Sequence, residues 1–149
     1  MAARRVNVVH GHLLAANATS ASAMPHRSPI TSHVLDTARG RPAANLRIEL
    51  QAYDGDTKRT PLTGTWSLVS QGVTNDDGRL SAPLIPEGTQ FRPGFYRMVF
   101  HTQRYFEALG VHEYFYPEVS IVFRISDETQ HYHVPLLISP FGYSTYRGS

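Results

Sequence analysis

From about residue 28 onward, apolar and polar positions alternate at the two-residue period of a strand with one buried face. Leu46-Arg47-Ile48-Glu49-Leu50 shows the pattern in its plainest form, and Trp66-Ser67-Leu68-Val69-Ser70 begins a second such run. Phe95–Phe100, Val119–Ile125 and His131–Ile138 supply three more. Gly40-Arg41-Pro42, Asp54-Gly55, Asp77-Gly78, Arg92-Pro93-Gly94 and Tyr116-Pro117 punctuate them, as residues that accept or impose turn conformations should. One stretch reads otherwise: Arg104–Leu109 predicts a short helix with Tyr105, Ala108 and Leu109 on one side and Gly110 as its stop. Several strands at short spacing with one small helix predict a mainly β fold, a two-sheet β-sandwich.

The 149 residues suffice for one domain with a real core. With 41% hydrophobic and 17% charged residues the composition is that of a globular chain, and no stretch is apolar for long enough to cross a bilayer as a helix. The formal net charge of +2 is small and its Lys and Arg residues are scattered, so no basic stripe for nucleic acid is predicted. Cysteine is absent, which removes disulfides, thiolate metal sites and cysteine nucleophiles together. Histidine is abundant, with eight copies, and its imidazole titrates near neutrality.

Residues 1–28 differ from the rest. They are rich in Ala, Ser and Asn and carry several positive charges, and no Asp or Glu precedes Asp36. This predicts a targeting or disordered segment, with the folded domain spanning 29–149. Leu13-Leu14-Ala15-Ala16 is too short for a secretory apolar core. Arg5-Val6, five residues, then His12-Leu13 resembles a type-2 peroxisomal targeting signal, and a helix would place Arg5, Val9, His12 and Leu13 on one face for an import receptor. The peroxisome is the favoured destination, with mitochondrion or cytosol as alternatives.

Three motifs carry candidate chemistry. In His131-Tyr132-His133, strand periodicity puts both imidazoles on one face, where they can be ordinary hydrogen-bonded strand residues, metal ligands or acid-base groups. A metal would need a third ligand from a neighbouring strand, and His33 is the strong candidate. Asn75-Asp76-Asp77-Gly78-Arg79 predicts a turn and lacks the alternating acids of a calcium loop. The Arg79 that follows is either a solvated edge charge or a planar fork able to hold an acidic heterocycle. Tyr143-Ser144-Thr145-Tyr146-Arg147-Gly148-Ser149 can fray, but two tyrosines can pin it and Gly148 permits close backbone approach.

Together with Ser32-His33-Val34-Leu35-Asp36 and Gly40-Arg41-Pro42-Ala43, these motifs resemble the transthyretin-related 5-hydroxyisourate hydrolase family from about Pro29 to Ser149. The resemblance implies a transthyretin-like sandwich of about eight strands with one short helix, assembled as a homotetramer. It implies hydrolysis of 5-hydroxyisourate in urate breakdown, by water addition at C6, with no metal and no organic cofactor. His33, Arg79, His133 and Ser149 are the implied catalytic residues, with His33, Arg79 and Tyr146 binding substrate. His131 is not carried over as catalytic, and its place on the face of His133 suits a supporting role. The alternative is a carrier that holds a hydrophobic hormone without chemistry.

Overall fold

The computed structural model describes residues 28–149; the expected targeting segment lies, but for Ser28, outside the described residues. Ten strands and one helix follow in the order β1 (Ile30–Thr31), β2 (Val34–Asp36), β3 (Arg41–Pro42), β4 (Arg47–Asp54), β5 (Thr65–Val73), β6 (Gly94–Phe100), α1 (Thr102–Ala108), β7 (Val119–Ile125), β8 (Tyr132–His133), β9 (Leu136–Ser139) and β10 (Gly142–Thr145). One sheet has the order β5-β4-β6-β7 and is antiparallel throughout. The other has the order β10-β9-β2-β3, with β2 and β9 parallel at its centre.

The parallel pair β1–β8 is the upstream end of that second sheet. Ile30 faces Tyr132, Thr31 faces His133 and Val34 faces Leu136, one register running through both pairs of strands. Joining β1 to β2 and β8 to β9 leaves the eight strands expected. The break in the second run falls at Val134-Pro135, between the Tyr132–His133 and Leu136–Ser139 stretches, and the Val134 and Leu136 N–H groups still donate across it to Thr31 and His33.

Alternation builds the core. Ile48 and Leu50 of β4, Met98 and Phe100 of β6, and Ile125 of β7 point inward from one sheet; Val34, Leu136 and Ile138 meet them from the other, and all are buried. The helix is where the expected element forms, but with a different buried side. Thr102, Tyr105 and Phe106 are buried, while Ala108 and Leu109 are exposed. The larger rings win the inner face: Phe106 stacks on Tyr114 and meets Tyr105 edge-on, contacts that a methyl group at Ala108 cannot match. The helix stops as expected at Gly110. Gly110 N–H donates to Glu107 and Val111 N–H to Phe106, the paired bonds that close a helix ending in glycine.

Candidate functional site

Along 30–36, Ile30, Ser32, Val34 and Asp36 are buried, so Thr31 and His33 lie on the outer face of the β10-β9-β2-β3 sheet. Along the facing run, Tyr132, Val134 and Leu136 are buried, so His131 and His133 share that outer face, as their spacing predicts. Because β1 and β8 are parallel and in register, Thr31 stands directly opposite His133.

Arg79 arrives from the other flank. Gly78 N–H donates to Asn75, Asn75 N–H donates to the Arg79 carbonyl, and Gly78 takes φ of +72°, so the Asp-Gly turn closes tightly. It also tucks against β2: a Cβ at Gly78 would stand 2.3 Å from the Val34 carbonyl oxygen, whose strand donates from Val34 N–H to Gly78. The result is an antiparallel bridge between His33 and Arg79, which puts the guanidinium-bearing residue beside the imidazole-bearing one. The solvated-edge reading of Arg79 is correct in that the residue is exposed, but it stands next to His33.

The closing segment arrives from the opposite flank. Beyond β10 the register carries on to an antiparallel bridge between His133 and Gly148, with Gly148 N–H donating to the His133 carbonyl at 2.9 Å. The approach is close enough to require glycine, since a Cβ there would stand 2.4 Å from His133 Cδ2. Alternation turns Tyr146 to the outer face with His133 and sends Arg147 the other way. Arg147 lies over the Tyr132 ring at 4.8 Å and donates to Gln130 at 3.0 Å. Tyr146 itself is 60% exposed, and Ser149 follows Gly148 in the chain.

A stepped row therefore forms on one face: Arg79 stands beside His33, and two residues back along the same run Thr31 stands beside His133, which stands beside Gly148. The sequence motifs contained all of its members but Thr31. Its hydroxyl oxygen lies 2.9 Å from His131 Nε2 and 2.8 Å from His133 Nδ1. Strand alternation through His33 already places it on the same outer face, but its partners are 100 and 102 residues away in sequence. A groove of about 340 Å3 runs beside Thr31 and Arg79, between residues 28–32 and 79–84, a size that takes a small ligand. A second cleft, of about 330 Å3, opens at the sandwich edge between β7 and the β10 extension, lined by Ile121, Phe123, Tyr132, Val134 and Tyr146 among others. Among the described residues, no three His, Asp or Glu side chains gather as a metal site requires.

Chemically the row offers what acyl hydrolysis uses: imidazoles for proton transfer, a fixed positive fork for an acidic ring, and hydroxyls for orienting water.

The chain is similar to known proteins over most of its length. The profile of the HIUase/Transthyretin family matches residues 30–148. The chain is 46% identical over 122 residues to the 5-hydroxyisourate hydrolase of Deinococcus radiodurans, covering 80% of this chain and 95% of that one. It is 41% identical over 152 residues to the uric acid degradation bifunctional protein TTL of Arabidopsis thaliana. That match covers 97% of this chain but only 44% of the plant protein, so the chain spans less than half of that relative. Among solved structures, transthyretin from Sparus aurata superposes with a TM-score of 0.70 at 32% identity, over 82% of this chain and 97% of that one.

Proposed function

The chain belongs to the HIUase/Transthyretin family, and on that premise we propose that it is an enzyme that hydrolyses 5-hydroxyisourate to 2-oxo-4-hydroxy-4-carboxy-5-ureidoimidazoline in urate degradation. The observation that carries this reading is that the His33–Arg79 and His133–Gly148 bridges and the β1–β8 pairing bring Arg79, His33, His133 and Gly148 to one outer face. A carrier of an apolar hormone fits less well. Identity to the bacterial hydrolase is 46%, against 32% to the Sparus aurata transthyretin, and the face holds imidazoles and a guanidinium where an apolar ligand would need apolar walls.

In the proposed reaction a water oxygen bonds to C6 as the N1–C6 bond breaks. His133 takes one water proton, assisted by Ser149, and His33 gives a proton to N1, leaving C6 as a carboxylic acid that releases its remaining proton to solvent. Arg79 holds the substrate through its planar fork and offsets the negative charge that builds on the oxygen of C6. Tyr146 closes over the bound ring. No metal or organic cofactor enters the proposed steps, so treatment with a chelator leaves the rate unchanged.

The proposal extends to assembly and location. Strands β7 and β10 each end a sheet, and an unpaired edge is a template for a second copy; exposed Phe115, Phe141 and Tyr143 add apolar area suited to a further contact. These features support a homotetramer built as a dimer of dimers. Residues 5–13 support recognition by the peroxisomal import receptor, tested by fusing residues 1–28 to a fluorescent protein.

The deciding experiment generates 5-hydroxyisourate from urate and follows its ultraviolet decay. Micromolar protein accelerates the decay; an unchanged rate overturns the enzyme reading.

A further inference from the structure

Resting on the hydrolase reading of the site, we propose that Thr31 is a positioning residue: its hydroxyl bridges the two histidines and holds His133 with its proton on Nδ1, leaving Nε2 as the basic nitrogen.

A threonine hydroxyl has one hydrogen to give and lone pairs to receive. Thr31 Oγ1 faces two ring nitrogens at hydrogen-bond distance, His131 Nε2 at 2.9 Å and His133 Nδ1 at 2.8 Å. Its one proton can serve only one of them, so the other nitrogen must bring its own. For neutral rings three arrangements satisfy both contacts. In the first, His133 Nδ1–H donates to Thr31 and Thr31 donates to His131 Nε2. In the second, both rings donate to Thr31 and its hydroxyl proton turns elsewhere. In the third, the chain runs backwards and His133 carries its proton on Nε2.

The surroundings of the ring favour the first two, which share a proton on Nδ1. A Cβ at Gly148 would stand 2.4 Å from His133 Cδ2, the ring carbon bonded to Nε2, so the closing segment passes that edge of the ring. A base at that edge must be unprotonated there, so its proton sits on Nδ1 and points at Thr31. As His133 gains a second proton, Nδ1–H becomes a charged donor and its bond to Thr31 strengthens. Turning the ring over would swap Nδ1 for Cδ2 and lose the Thr31 contact, so the hydroxyl also fixes which edge meets the reacting water. His131, on the same face, anchors the far end of the bridge. A base oriented by a third group through its other nitrogen is the arrangement general-base sites need.

Thr31→Val keeps the branched shape and removes the hydroxyl, while Thr31→Ser keeps the hydroxyl and removes the methyl group. With 5-hydroxyisourate, T31V lowers kcat about ten- to a hundredfold with KM changed less than about threefold, part of what a general base contributes. T31S stays within about threefold of wild type. Wild-type kcat in T31V, or T31S as impaired as T31V, overturns the proposal. Histidine-labelled protein read by imidazole 15N shifts gives a measurement free of turnover, with His133→Gln assigning the signal. Wild type shows the His133 proton on Nδ1, and T31V loses that preference. A proton on Nε2 in wild type, or an unchanged spectrum in T31V, sinks the idea. A wild-type protein without hydrolase activity overturns the substrate reading alone, because the shifts report the bridge with no substrate present.

Discussion

In the β5-β4-β6-β7 sheet the strands run seven to nine residues, whereas those of the β10-β9-β2-β3 sheet run two to four. Their inner faces are alike, apolar and buried. Their outer faces are not. On the long-stranded sheet, neighbouring side chains along and across the strands satisfy each other: Arg97 donates to Gln51 at 2.6 Å and lies over Trp66 at 4.5 Å, and Arg47 donates to Glu49 on its own strand and to Gln71 on the next. Such pairs leave few polar groups for a ligand. On the short-stranded sheet, the outer face carries His33, His131, His133 and Arg79, and segments without regular strand structure deliver two of the flanking residues, Arg79 and Gly148. The difference teaches that regular pairing supplies the rigid half of the molecule, while bridges and turns at the edge of the other sheet aim the chemistry.

The sharpest way to break that comparison is to damage each sheet once. His133→Gln should lower kcat by about a hundredfold or more while costing under about 1 kcal/mol of stability, since the residue is half-exposed and outside the core. Leu50→Ala, in the centre of the long-stranded sheet, should cost about 2–5 kcal/mol and leave kcat per folded molecule unchanged. Denaturant unfolding and steady-state kinetics on both variants decide it. If L50A loses turnover while still folded, the two sheets are not separable in this way.

A smaller effect tests whether the closing segment belongs to the site. Gly148→Ala places a methyl group 2.4 Å from His133 Cδ2, so either the segment lifts or the ring shifts. We expect kcat to fall about tenfold with the unfolding midpoint almost unmoved. Wild-type kinetics in G148A would reduce the segment to a family label.

The same division governs what the sequence made legible. Long alternating runs such as Arg47–Asp54 and Val119–Ile125 announce themselves, because a half-buried strand leaves its period in every residue. The Asp-Gly turn and the shared face of His131 and His133 are equally local facts. Thr31 is not local: a threonine means little until a parallel pairing sets it opposite His133, and parallel partners lie far apart in the chain. The helix was legible as an element and misread as to its buried side, because the stripe Tyr105, Ala108, Leu109 and the stripe Thr102, Tyr105, Phe106 are both helical, and only the volume of the space beneath chooses between them. Roles for Arg79 and Ser149 come only from the family resemblance, since spacing alone leaves both open.

The finest test concerns the tie between the two regions. Asp36, at the end of β2, is buried, and its Oδ1 accepts from the N–H groups of Ala38 and Arg39. Its Oδ2 accepts the hydroxyl of Tyr105, from the helix that follows β6, at 2.7 Å. Burial first, and then this bond to Asp36, push the Tyr105 phenol up to about 12 from its ordinary 10. The folded state thus favours the neutral phenol. The stability this contributes is fully present below pH 10 and is lost as pH rises through about 12. Tyr105→Phe removes the donor and leaves Oδ2 short of a partner, which should cost about 1 kcal/mol at neutral pH. The variant should also lose less stability than wild type between pH 10 and 12. Equal alkaline slopes in denaturant melts of the two proteins would mean that the sheets are held together by their apolar faces alone, with no contribution from the Asp36–Tyr105 tie.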